Sequence, residues 1–503
     1  MRQLLTIFLL TISTCSFAGE IIVHEGESIH NALRQAREWR RLKDPRCEGG
    51  ITITIQAGRY YMNEPLLIRP EDSGTELSPT IVRGEEGTII HGDPKQLHTQ
   101  IWPMEGMERM IDFNKEQRTI TIPTPPKSVL KMKDLEMVVH QRWAIAILRV
   151  KDMKVEGKKT IVSFLEPESR LEFEHPWPQP VINGEKGSSS FLLRKTEQHD
   201  GIEQLVMVEG TEQTPVKYLK FENITFENTC WNRPLHKGHV TLQGGFPIID
   251  AYKLQKEGLP WATTLENQAW IERPVAAICI NHAEQVHFHH CKFQHLASTA
   301  LDYKTDVSDC SINDNQFTDI GGTAIMVGSF AECPREVHRP YTDLARRCQG
   351  ISITNNTIHD ATNEDWGAVA ISCGYVRNVT IAKNHISHVN YSGICVGWGW
   401  TSALTGMENN HIINNIVEDY ARQLYDAGGI YTLSNQPRSS IKDNTISQPF
   451  PAPYATNNRG FCIYLDAETD GYTIENNKTE GRLIRRDEIG DNHPGPNIVF
   501  KQQ

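Results

Sequence analysis

Two aspartates sit where a pair of carboxylates could act on one bond. Asp426 opens the run Asp426-Ala-Gly-Gly-Ile-Tyr431, and Asp466 closes the run Phe461-Cys-Ile-Tyr-Leu-Asp466. Cleavage of a glycosidic bond needs one carboxylic acid to protonate the leaving oxygen, and a second carboxylate to attack the anomeric carbon or activate water. The required separation is about 5–5.5 Å for retention of configuration and about 6.5–9.5 Å for inversion. Glu364 and Asp365, just before Trp366-Gly367, are further acidic candidates. They suit either a carboxylate across a water from Asp426 or the binding of a sugar hydroxyl. Trp398 and Trp400 alternate with Gly397 and Gly399. An indole stacks well on the C–H face of a sugar, so this run is expected to form an open ledge, with hydroxyls from Tyr391, Tyr431 and Tyr464 at its rim. The alternative for each residue is structural: a carboxylate holding a glycine turn or ending a strand, and an indole packed in a core.

These residues need a scaffold that stacks distant segments. From about residue 213 the chain repeats apolar-x-x-Asn-x-apolar, as in Ile312-Asn-Asp-Asn315-Gln-Phe317, Ile353-Thr-Asn-Asn356-Thr-Ile358 and Ile381-Ala-Lys-Asn384-His-Ile386. It returns around Asn415, Asn444 and Asn477, so successive asparagines are 41, 28, 31, 29 and 33 residues apart. A period of roughly 30 with strand patterning and no helix between strands predicts a parallel β-helix, in which each coil hides its apolar side chains against the next. The repeated asparagine is expected to turn the chain and bond its amide to the asparagine one coil on. A second strand per coil carries Gly-apolar patterns, at Gly322, Gly367, Gly393, Gly429 and Gly460, and should form the sheet that bears the groove. Neighbouring coils lie about 4.8 Å apart. In this register Asp365 matches Asp426 two coils away, whereas Asp426 enters its strand and Asp466 leaves its own.

Other segments organise around that stack. Ser28 to Glu38 has a cap residue and helical apolar spacing, and is expected to cover the first coil. Residues 19–94 therefore form N-terminal coils with a cap. Residues 95–212 break the rhythm with longer alternating runs such as Met137 to Val150 and Pro-rich joints, and predict an inserted antiparallel β domain. Residues 213–503 form the main β-helix. The fold class is all-β. Residues 1–18 have a positive start, a short apolar run and a small-x-Ala end, the pattern of a cleaved secretory leader, and imply a periplasmic or extracellular protein. A lipoprotein leader ending at Cys15 is the weaker alternative. Of eleven cysteines none forms a Cys-x-x-Cys pair, which excludes the common zinc and dithiol motifs. Export permits disulfides, and Cys333 with Cys348 is the pair expected to bond. The net charge of -11 argues against nucleic acid as a partner. His287, His289, His290 and His295 crowd one strand region, but alternation is expected to send them to two faces, so no metal and no cofactor is expected.

The run Tyr391-Ser-Gly-Ile-Cys-Val-Gly-Trp-Gly-Trp400, followed by Asp426-Ala-Gly-Gly-Ile-Tyr-Thr-Leu and Ile463-Tyr-Leu-Asp466, resembles glycoside hydrolase family 141 and its relatives. The resemblance spans roughly residues 20–500 and is strongest from 310 to 480. It implies a secreted right-handed β-helix glycosidase acting on plant cell-wall glycans, in a group containing α-L-fucosidases and xylanases. It also implies that the acid/base and nucleophile aspartates fall on Asp426 and Asp466. Ala427 and Ala467-Glu468 depart from the residues usual beside those aspartates.

Three functions follow as expectations: a hydrolase taking a poly- or oligosaccharide, a polysaccharide lyase on the same fold, or a non-catalytic glycan-binding β-helix. A lyase needs a basic residue or tyrosine as base and a means of neutralising a uronate, often Ca²⁺; Arg422 and Arg438 are the nearest cations. A monomer with no membrane span is expected. Sugar, linkage and stereochemistry stay open at this level.

Overall fold

A computed structural model of the chain describes residues 18–92, 98–102, 108–174, 180, 190–196, 201–251, 269–332, 335–336, 347–452 and 460–501. The leader, Cys333 and most of the segment before Gly460 lie outside these residues.

Three parallel sheets wind along one axis, as the period of the asparagines predicts. The repeat isoleucines Ile312, Ile353, Ile381, Ile412, Ile441 and Ile474 are successive register partners in the first sheet. All are buried, and each contributes roughly 1.5–3 kcal/mol when its side chain leaves water. Aromatic rings stack in the same way: Phe293 and Phe317 are 4.5 Å apart with planes 4° from parallel. At the turn the side-chain amides of Asn315, Asn356, Asn384, Asn415 and Asn444 each donate to the Oδ1 of the next asparagine at 2.8–3.0 Å, ending on Asn477. Each Oδ1 also accepts from the backbone N–H one coil earlier, so a polar turn is buried without orphaned groups.

Helix Ile29–Arg41 caps the open end. The Ser28 side chain accepts from the Asn31 N–H, and Ile29, Ala32, Leu33, Ala36 and Trp39 face the first coil. Stacking then continues across a long excursion. Leu66–Ile68 pairs with Val206–Glu209, and Thr88–His91 pairs with Thr225–Thr229. The chain thus leaves one coil and returns as the next.

The excursion forms an antiparallel sheet around the hairpin Leu135–His140 and Ile145–Glu156. Its extent differs from 95–212. Val206–Glu209 already belongs to the stack, whereas His239–Leu242, Phe246–Ala251 and Ala269–Ile271 leave the coils to extend the antiparallel sheet. A second apolar cluster joins this sheet to the outside of the coils.

Cys348 is a buried cysteine, and the expected Cys333–Cys348 pair involves Cys333, which lies outside the described residues. The Cys348 Sγ lies 3.6 Å from the Tyr303 carbonyl, inside the core. His287 and His289 share one face, where both rings bond to the Ser311 hydroxyl. Residues two apart on a strand point the same way. No described helix is long and apolar enough to cross a membrane.

Candidate active site

The third parallel sheet bears both aspartates at its strand ends. Its strands include Ile371–Cys373, Ile394–Val396, Ala427–Thr432 and Gly460–Leu465 in that order. Asp426 sits immediately before Ala427–Thr432 with φ +66°, and Asp466 immediately after Gly460–Leu465. They occupy opposite edges of adjacent strands, yet two tyrosines of that sheet link them. Tyr431 and Tyr464 are register partners, with ring centroids 5.2 Å apart at 87°. The Tyr464 hydroxyl donates to Asp426 Oδ1 at 3.0 Å. The Tyr431 hydroxyl donates to Asp466 Oδ2 in a very short bond. Asp466 is buried and accepts two further bonds, from Asn492 Nδ2 at 2.7 Å and Trp400 Nε1 at 3.4 Å. Three side-chain donors thus hold its carboxylate.

Asp426 is more open, and Arg142 Nη1 lies 3.7 Å from its Oδ2. Arg142 belongs to the tip of the inserted hairpin. That tip is fastened to the chain just before Asp426: His140 Nε2 bonds the Gln423 carbonyl at 2.7 Å, and the Tyr425 N–H donates to the Arg142 carbonyl. Burial pushes the His140 imidazole down to about 4, so it is neutral and its Nε2–H is the donor. Beside it Gln141 donates to Glu172 at 2.6 Å, and burial pushes that carboxyl up to about 8. The tip is therefore held by neutral groups in a dry contact.

Gln243 completes the arrangement. Its Nε2 donates to Tyr431 Oη at 2.9 Å and to Tyr391 Oη at 3.2 Å. Tyr391 is buried and donates to the Asp426 backbone carbonyl at 3.0 Å, so it braces the turn from beneath. Burial, with Asp426 nearby, holds the Tyr391 hydroxyl well above the usual phenol range; burial and Asp466 do the same to Tyr431. Both remain donors at any working pH.

The other candidates stand elsewhere. Trp398 and Trp400 are not an open ledge: they are 4% and 6% exposed and pack at 4.8 Å against each other, with Phe246 and Phe330 against Trp398. Their glycines serve close approach. A Cβ on Gly397 (φ +112°) would lie 2.2 Å from the Leu433 carbonyl oxygen, and one on Gly399 (φ +98°) 2.3 Å from the Tyr375 hydroxyl. Trp400 still meets the site through its N–H. Glu364 binds Arg194 of the insertion at 2.9 Å and docks the two domains instead of lining the groove. Asp365 does not align with Asp426. Ile371 and Ile430 share a register through Ile394, and Asp365 lies six residues before the first, Asp426 four before the second. Asp365 accepts from Gly367 N–H and faces His239 Nε2 at 2.8 Å. Sequence reasoning missed Gln243, Arg142 and Asn492. Only the Gly244-Gly245 pair after Gln243, a sign of a tight bend, marked any of them.

Comparison with known proteins bears on this arrangement. The GH141 insertion domain profile matches residues 93–200, and the right handed beta helix region profile matches residues 276–479. A solved structure named as a glycoside hydrolase is 33% identical, superposes with a TM-score of 0.88, and is covered over 96% of both chains. More distant matches include the complex of XylC with xylose (11% identity, TM-score 0.43, 93% of this chain and 70% of that one) and DFA-IIIase from Arthrobacter chlorophenolicus A6 (10%, 0.41, 94% and 92%). No curated protein matches the chain.

Proposed function

Since the chain belongs to the parallel β-helix glycoside hydrolases of the family 141 type, we propose that Asp426 and Asp466 are the carboxylates that cleave its glycosidic bond. The observation that carries this is the junction of both aspartates through one edge-on tyrosine pair, Tyr431 and Tyr464. Asp466 is the nucleophile or base, because three donors fix its oxygens. Asp426 is the acid/base, because it is the more open of the two and a proton must pass between it and the leaving oxygen.

Each supporting residue has a positioning task. Tyr431 and Trp400 aim Asp466. Tyr464 and the Arg142 guanidinium aim Asp426 and offset the charge that two carboxylates bring to one groove. Gln243 ties the inserted sheet to Tyr391 and Tyr431, which keeps the site's wall in place while the glycan is bound.

The substrate proposed is a plant cell-wall glycan, a pectic or xylan side chain with an α-L-fucoside among the candidates, cleaved outside the cytoplasm after the leader is removed. The resemblance of the motif-bearing runs supports the first part and the pattern of residues 1–18 the second. Incubation with pectic and xylan oligosaccharides, followed by NMR of the released sugar and its anomer, tests this. Release of a monosaccharide from a chain end, lost in Asp426→Asn, is expected. No release from any oligosaccharide by folded protein overturns the substrate assignment.

A further inference from the structure

Asp466 has a counterpart one coil further on. Strand Ile489–Asp491 pairs in parallel with Gly460–Leu465, and Leu465 lies opposite Asp491. The same register sets Asn492 against Asp466, each the first residue past its strand. The Asn492 N–H donates to the Leu465 carbonyl at 2.9 Å, and Asn492 Nδ2 donates to Asp466 Oδ1 at 2.7 Å. This repeats the cross-coil amide bond of the asparagine ladder, made here to a carboxylate. The turn that follows is laid over the bend at residues 465–470. Glu468 N–H donates to the His493 carbonyl at 3.0 Å, and Gly495 N–H to the Thr469 carbonyl at 2.8 Å. Asn497 gives its backbone and side-chain N–H groups to the two oxygens of Asp470, at 2.6 and 2.8 Å. His493, Pro494 and Pro496 are exposed, so this turn adds little to the core. Its hydrogen bonds fasten it to the Asp466 bend.

The two oxygens of Asp466 are not equivalent. Oδ2 accepts from Tyr431 and from Trp400, both buried, so both of its lone pairs are engaged. Oδ1 accepts from Asn492 alone among the described residues, which leaves it one lone pair. Asn492 is also the half-buried one of the three partners, so Oδ1 lies toward the more open side. A nucleophile or base reacts through a lone pair that no donor holds. One amide from the side stops the carboxylate from rotating about Cβ–Cγ and still leaves that pair available.

We propose that Asp466 reacts through Oδ1, and that Asn492, held by the C-terminal turn, is its positioning residue. This rests on the reading of Asp466 as nucleophile or base. The Oδ1 lone pair forms the bond to the anomeric carbon, or takes a proton from the water that forms it. The bond from that carbon to the leaving oxygen breaks, its electron pair stays on the oxygen, and the proton of Asp426 joins it there. The last coil thus serves the site as well as closing the stack.

Kinetics and crystal structures of variants of the whole protein test it. Asn492→Leu is similar in shape and has no donor. Its kcat should fall about 10- to 100-fold with KM within about twofold, and its circular dichroism spectrum should be unchanged. Asn492→Asp is isosteric but sets a second carboxylate against Asp466, so it should lower kcat further. A role confined to holding the turn would make the isosteric variant the milder one, and that order overturns the proposal. So does a kcat within about twofold of wild type in Asn492→Leu, or a change confined to KM. A crystal structure of Asp426→Asn with an uncleaved oligosaccharide should place the anomeric carbon, or the water beside it, nearest Oδ1; approach to Oδ2 overturns the choice of oxygen. A crystal structure of Asn492→Leu should show the Asp466 carboxylate rotated about Cβ–Cγ. An unmoved carboxylate overturns the positioning role even if no glycan is ever turned over, a failure that bears on the hydrolase reading alone. If Asn492→Leu does not fold, Asn492→Asp carries the same kinetic and crystallographic test.

Discussion

Tyr431 and Tyr464 are neighbours in register on adjacent strands, yet their hydroxyls go to different carboxylates, Asp466 and Asp426. A stack of coils would otherwise keep residues at opposite strand edges apart. An edge-on pair of long side chains spans the width of the sheet and gathers both acids around one aromatic surface.

Replacing either carboxylate should abolish turnover and spare the fold. Asp426→Asn and Asp466→Asn are each expected to lower kcat/KM by about 10³-fold or more, with an unchanged circular dichroism spectrum. Steady-state kinetics on a released-sugar assay checks this. Near wild-type rates in either variant would remove that residue from the chemistry.

The tyrosine hydroxyls should act on kcat. Tyr431→Phe leaves Asp466 Oδ2 with only the 3.4 Å contact from Trp400, so kcat should fall about 10- to 100-fold while KM stays within about twofold. A change confined to KM would mean that Tyr431 binds sugar and does not aim the carboxylate.

Gln243→Leu removes the donor shared by Tyr391 and Tyr431. A loss of about tenfold in kcat/KM is expected, since positioning is degraded while both acids remain. Gln243→Glu retains the shape but has no amide donor, and the one proton of each phenol is already given to Asp466 or to the Asp426 carbonyl, so it should not recover the loss. Wild-type rates in Gln243→Glu would show that shape, not the donated hydrogen bonds, matters.

Glu172 gives a stability signature in pH. Its folded pKa, pushed up to about 8 by burial, exceeds the ordinary value of 4.5, so the folded state holds the proton more tightly. Its contribution is complete below about pH 4.5 and is lost as pH rises to about 8. Relative to Glu172→Gln, which mimics the protonated acid, the wild-type melting temperature should drop by several degrees between pH 5 and pH 8. Parallel curves for the two proteins over that range would contradict a buried neutral carboxyl.

Asn384→Leu should cost about 3 kcal/mol or more. It removes bonds to Asn415 and the Ile353 carbonyl and strips the acceptor used by the Asn356 backbone and amide. Chemical denaturation measures the loss. A cost below about 1 kcal/mol would show that the ladder is replaceable by apolar packing.

The coils were legible because every turn of the helix repeats one local problem, a buried bend, with one local solution, asparagine. The groove was less so. The alternation of Trp398 and Trp400 with glycine reads equally as a ledge or as tight packing, and the difference lies in Phe246 and Phe330. No local pattern announces what will be laid over an indole. Asp365 was visible as an acid beside the groove sheet, but its partner His239 lies 126 residues earlier in the chain. Gln243 and Arg142 lie in turns between strands whose own patterning concerns the inserted sheet. Their role appears only when that sheet docks.

The division of labour between coil and insertion has an evolutionary consequence. The proposed acids ride on the repeating coils, while Gln243 and Arg142 ride on the inserted sheet. Drift in the inserted sheet can retune which carbohydrate is admitted without disturbing how the bond is broken.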